Sequence, residues 1–124
     1  MTDDRIKVGV DMDGVYAAGF RPDKPHIIIS GRHIEEFKAT VMQTGGNVPI
    51  YLRTKGKYGD GKLAGEHKAG LINLFGIEEF YEDDHEQGPY IKANCPNCKV
   101  YKVINGQLVP NGKAAPIVAG AIIQ

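Results

Sequence analysis

The chain has 124 residues, enough for one domain with a real core and too few for two. Its 15 Lys and Arg residues are balanced by 15 Asp and Glu, so no global field draws it to nucleic acid or a membrane surface. The polar N-terminus lacks a secretory pattern, and the longest apolar stretch, residues 116–123, is too short to span a bilayer. A cytoplasmic location with no membrane partner is therefore expected.

The first predicted strand, residues 6–11, is apolar and stops abruptly on Asp11-Met12-Asp13-Gly14. A buried strand ending in a bend puts both carboxylates at the carboxyl edge of a sheet, where open α/β folds bind their ligands. Neighbouring carboxylates repel unless a cation lies between them or one holds a proton. Asp11 and Asp13 thus point to a hard metal ion, to general acid/base chemistry, or, plainly, to an exposed Asp-rich turn. Only residues 15–25, broken by Gly19, Pro22 and Pro25, lead to the second strand, residues 26–30. That is too short for a full crossover helix, and a tight excursion is expected.

The second strand closes on Ser30-Gly31-Arg32, where a hydroxyl and the amides of a helix start can hold an anion; Ser30 equally suits a helix N-cap. A helix is predicted after Gly31, with Ile34, Phe37 and Val41 inward and Gly45-Gly46 as its stop. A third strand over 48–52 precedes a helix over 66–75, with Leu71, Ile72, Leu74 and Phe75 inward and Gly76 at its end. Lys68 near its start is either a phosphate-neutralising ammonium or a solvated lysine. The fourth strand, 79–82, runs into Glu82-Asp83-Asp84, which are metal ligands or a solvated charge run. Adjacent strand positions point oppositely, so the choice between Asp83 and Asp84 stays open. A short helix follows Pro89, and a fifth strand, 99–104, turns through Asn105-Gly106, a type I′ signature, into 107–109. The apolar tail 114–123 reads as a final strand or a segment packed on the sheet, with a homo-oligomer contact as the second reading. Alternating strands and helices give an α/β domain with a mostly parallel sheet.

Cys95 and Cys98 form one CxxC in a turn before a strand, so reduced structural thiols are expected rather than zinc or redox chemistry. Residues 56–62 nearly complete a P-loop, but Leu63 stands where a Mg²⁺-binding Ser or Thr belongs, and the preceding strand is third rather than first. Arg32, Arg53, Lys55, Lys57 and Lys62 form either a basic rim for a nucleotide or solvated loop charge, with only Tyr58 as an interleaved aromatic.

Taken in order, Asp11 and Asp13 on the first strand, Ser30 on the second, Lys68 on a later helix and Asp83 with Asp84 on the fourth strand resemble the haloacid dehalogenase-like phosphohydrolases. A signalling receiver has similar groups but needs its acceptor aspartate after the third strand, which here ends on Leu52-Arg53. The resemblance spans residues 8–104 and implies a Rossmann-like fold without a cap domain. It implies a Mg²⁺-dependent phosphatase with Asp11 as nucleophile and Asp13 as acid and then base. Ser30, Gly31, Arg32 and Lys68 would bind the phosphoryl group, and Asp11, the Asp13 carbonyl and Asp83 or Asp84 the metal. Within that family, Ser30-Gly31-Arg32, Arg53 and Lys68 look most like polynucleotide kinase 3′-phosphatases and small nucleotide-type phosphatases. The implied partner is a phosphorylated small molecule or a nucleotide or oligonucleotide end. The missing crossover helix departs from the pattern and keeps open a catalytically weak binding or assembly protein on the same scaffold.

Overall fold

A computed structural model describes residues 5–58 and 63–109; the tail 114–123 and residues 59–62 of the glycine-rich loop, Lys62 included, lie outside the described residues. Six strands form one sheet in the order β3-β2-β1-β4-β5-β6: β1 (Val8–Val10), β2 (Ile27–His33), β3 (Ile50–Arg53), β4 (Glu79–Glu82), β5 (Lys99–Ile104) and β6 (Gln107–Leu108). The first five run parallel, and β6 returns antiparallel to β5. Asn105 and Gly106 both take positive φ, 54° and 77°, as a type I′ turn requires. The helices are α1 (Phe37–Thr44), entered through a single tight turn over Ile34–Glu36, then α2 (Ala64–Phe75) and α3 (Gln87–Asn94). The fold is α/β with a mostly parallel sheet, compatible with a Rossmann-like arrangement. Among the described residues, no helix is long and apolar enough to cross a membrane.

The period of two along each strand divides the core between the two faces of the sheet. Ile27, Ile29, Phe80 and Val100 pack with Ala69 and Ile72 of α2, Ile91 of α3 and both cysteines. Val10, Ile28 and Val103 pack on the other face against Met12, Val15 and Tyr16, with Phe20 at the margin. The tight excursion after β1 thus does the covering that a crossover helix does elsewhere. Each fully buried Ile or Phe here contributes about 1.5–3 kcal/mol.

Several boundaries and faces differ from expectation. β2 continues past Ser30 to His33, whose Nδ1 accepts the Glu35 N–H while Glu36 accepts the His33 N–H, so the helix begins later than Gly31 suggested. Ile34 and Phe37 are then exposed, and the buried positions of α1 are Thr40 and Thr44. The cause is a polar neighbour: the Thr40 hydroxyl accepts from Arg32 and donates to the Glu36 carbonyl. In α2 the buried stripe is Ala64, Gly65, Lys68, Ala69 and Ile72. Leu74 lies about 200° around the helix from Ile72 and faces solvent. α3 starts two residues before Pro89 because Asp84 Oδ1 accepts the N–H groups of Glu86 (2.7 Å) and Gln87 (2.8 Å). The CxxC forms a turn in which the Cys98 N–H bonds the Cys95 carbonyl at 3.0 Å. Burial pushes the two thiols up, Cys95 to about 11 and Cys98 to about 12, which suits packing rather than reactivity.

Candidate active site

The chain steps outward from β1 through β2 to β3 on one side and, after crossing back, through β4 to β5 on the other, so the carboxyl ends of β1 and β4 flank the point where the sheet order reverses. A cleft of about 440 Å³ opens there, lined among others by Asp11, Asp13, Arg32, Lys68, Asp83 and Gln87. Asp11 follows β1 directly and is nearly buried. The chain then makes a wide turn, closed by Tyr16 N–H to the Asp11 carbonyl (3.1 Å) and Ala17 N–H to Met12 (2.8 Å). Gly14 bends it at φ +78°, and a Cβ there would meet Asp83 Oδ2 at 1.8 Å. Gly31 is the second close approach: its Cβ would stand 2.4 Å from Ala64 Cβ, so its lack of a side chain lets α2 close on β2 and bring Lys68 to the cleft.

Lys68 is 2% exposed, and its ammonium lies 2.9 Å from Asp11 Oδ1, 2.8 Å from Glu82 Oε1 and 2.6 Å from Gln87 Oε1. Burial pulls its pKa down, yet Glu82 and Asp11 outweigh burial and hold it above the ordinary lysine value. Carboxylate oxygens of Asp11, Glu82 and Asp83 all lie within 4.8 Å of one another, and this is the one such group able to hold a metal among the described residues. The donors fit a hard cation: all are carboxylate oxygens, and one ammonium, Lys68, pairs with both Asp11 and Glu82, which leaves Asp83 beside them without a cation of its own in this cluster. Burial, and then the charge of Asp11, push Asp83 up to about 6.

That shift makes a pH prediction. Between the ordinary carboxyl range and about 6, the native chain binds a proton at Asp83 that the unfolded chain does not, so stability from this group is full in acid and is lost as pH rises through about 6. A divalent cation held by this cluster would take the place of that proton. Its upward shift of the melting temperature is expected to be larger at pH 7.5 than at pH 5, and Asp83→Asn should erase the difference; equal shifts at both pH values would remove Asp83 from the cation site.

The other predicted residues fall into place unequally. Asp84 lines the cleft, but its Oδ1 caps α3; burial pushes its pKa up, while the Gln87 and Glu86 N–H bonds outweigh burial and pull it below the usual carboxylate range. Asp83 is therefore the acid turned toward Asp11. Ser30 is fully buried, its hydroxyl accepting the Arg32 N–H at 3.0 Å, so it braces the strand end instead of facing the cleft. Asp13 stands on the rim with its carboxylate held by Arg32 Nε (3.0 Å) and Nη2 (2.7 Å). Arg32 also donates to Thr40 (2.9 Å) and Gln43 (2.6 Å), so it ties the turn after β1 to α1 while lining the cleft. Arg53 is buried and donates to the carbonyls of Gly31, Lys55 and Lys57. Of the expected basic rim, only Lys55 and Lys57 remain exposed among the described residues.

Gly14→Ala should cost about 1–3 kcal/mol, from positive φ and the clash with Asp83. Denaturant unfolding reads the loss, and the cation-induced melting shift should shrink with it; unchanged values in both would show that Asp83 has room to move aside.

Gln87 carries no sequence expectation, and Glu82, expected with Asp83 and Asp84 as a metal ligand or solvated charge, is instead fully buried against the Lys68 ammonium. A signal existed for Glu82, two positions from fully buried Phe80 and hence on the same strand face. None existed for Gln87. No protein-family model matches this chain, and no curated protein or solved structure matches it.

Proposed function

We propose that this chain is a Mg²⁺-dependent phosphomonoester hydrolase of the haloacid dehalogenase-like type, capless, working through an aspartyl-phosphate on Asp11. The observation that carries the reading is the meeting of a buried ammonium with Asp11 and Asp83 at the reversal point of a parallel sheet: Lys68 Nζ is 2.9 Å from Asp11 Oδ1. In the proposed reaction, the Asp11 oxygen not engaged by Lys68 attacks phosphorus in line, the ester P–O bond breaks, and the leaving oxygen takes a proton from Asp13. Water, deprotonated by Asp13, then attacks the acyl-phosphate, releases phosphate and restores Asp11. Asp13 must part from Arg32 to reach the leaving group, a side-chain motion at an exposed rim.

Mg²⁺, held by Asp11, Asp83 and the Asp13 carbonyl, would supply charge neutralisation at the phosphoryl oxygens. Lys68 keeps Asp11 oriented and offsets the charge of Glu82. The cleft volume suits a phosphorylated small molecule or a nucleotide, and the two exposed lysines, Lys55 and Lys57, give modest support for an oligonucleotide end. A second reading, a binding protein on the same scaffold, draws on the Asp13 carboxylate being chelated by Arg32. Release of p-nitrophenol from its phosphate ester separates the two. The phosphatase gives turnover that needs Mg²⁺ and stops with chelator, and a chain giving none across divalent cations is the binding protein.

A further inference from the structure

An ammonium has three N–H groups to give, and in Lys68 all three are committed, to Asp11 at 2.9 Å, Glu82 at 2.8 Å and Gln87 at 2.6 Å. If the phosphatase reading holds, on which this inference rests, no donor is left for a phosphoryl oxygen until one acceptor withdraws. Glu82 is fully buried and Asp11 nearly so, each fixed at a strand end. Both are carboxylates, whose full negative charge holds an ammonium more strongly than the dipole of a neutral amide does. Gln87 differs on each count. It is a neutral amide, partly exposed, in the first turn of α3 and on the cleft wall. Its backbone N–H is pinned by Asp84 Oδ1 at 2.8 Å, so its side chain can swing out while the helix stays in place.

We propose that Gln87 is the displaceable partner of Lys68: its amide oxygen holds the place of one oxyanion oxygen and is expelled when a tetrahedral anion enters the cleft. Gln87 is then a positioning residue that keeps the buried ammonium satisfied between turnovers and sets how tightly phosphate is held.

Calorimetric titration of the full chain with tungstate and with inorganic phosphate, in Mg²⁺, tests this. Gln87→Met, close in shape but lacking the acceptor, should tighten tungstate binding roughly tenfold or more, since one ammonium–amide hydrogen bond no longer has to be broken. Product inhibition by phosphate should strengthen by the same factor and KM for p-nitrophenyl phosphate should fall. Gln87→Glu should weaken tungstate roughly tenfold or more, because a third carboxylate does not yield Lys68. Gln87→Asn, too short to reach Lys68, should reproduce the tightening should Met disturb α3. Equal or weaker tungstate binding in both the Met and Asn variants overturns the displacement role alone. Absence of tungstate binding in every protein, wild type included, overturns the phosphatase reading together with it.

Discussion

Asp11→Asn is expected to lower Mg²⁺-dependent turnover of p-nitrophenyl phosphate by about 10³–10⁶-fold, the range seen when a covalent nucleophile is removed, while the chain stays folded. The amide oxygen is a poor nucleophile, and the neighbouring acids are placed for other work: Glu82 is buried against Lys68 and Asp84 caps α3. Folding should survive because Lys68 keeps Glu82 at 2.8 Å and Gln87 at 2.6 Å. Loss of the Asp11 charge also relieves Asp83, whose pKa that charge helps push up to about 6. The melting temperature of the metal-free variant should therefore equal or exceed that of the wild type. Turnover within tenfold of wild type would remove Asp11 as nucleophile.

Lys68→Met should have the largest effect on stability, a loss of about 3–5 kcal/mol, the cost of breaking a buried ion pair from one side. Glu82 is 0% exposed and would be left without its cation. Burial already favours the protonated form of Glu82, so in the variant its folded pKa lies far above its unfolded value. A raised carboxyl pKa gives stability that is present in acid and lost as pH rises, so the deficit of the variant should be smaller near pH 5 than near pH 8. The double variant Lys68→Met with Glu82→Leu should recover much of the stability, because removing both charges spares the burial cost that either alone incurs. Neither protein should hydrolyse phosphate esters. Urea unfolding at the two pH values reads all of this; a single variant that unfolds like wild type would show that the pair is not stabilising.

The sheet and the acidic edge were legible because strands with period-two burial and abrupt polar stops carry their own signal. Val10 running into Asp11, and Phe80 into Glu82 and Asp83, mark where the sheet ends and the cleft begins. The burial of Lys68 was written less plainly. A lysine beside His67 reads as solvated, yet the small residues Ala64, Gly65 and Ala69 around it are the spacing of a helix face pressed on a sheet. α1 departs from its hydrophobic pattern for a related reason: hydrophobicity selects Ile34 and Phe37, whereas the inward positions are Thr40, which serves Arg32, and Thr44, which accepts the Gly46 N–H at the helix end. Long-range pairings such as Arg32 with Asp13 and Gln87 with Lys68 have no local pattern at all, since each joins segments that only the tertiary fold brings together. Whether Asp83 or Asp84 turns inward was likewise decided beyond the strand, by the capping demand of α3.

In the proposed reaction Asp11 carries the phosphoryl group during turnover. Mixing the protein with p-nitrophenyl phosphate and Mg²⁺, quenching in acid within the first turnovers and mapping the peptides by mass spectrometry tests the proposed aspartyl-phosphate directly. One phosphoryl group on the peptide containing Asp11, removed by hydroxylamine and missing in Asp11→Asn, is the predicted result. Release of phosphate with no covalent label on that peptide, or with the label on another residue, would contradict it.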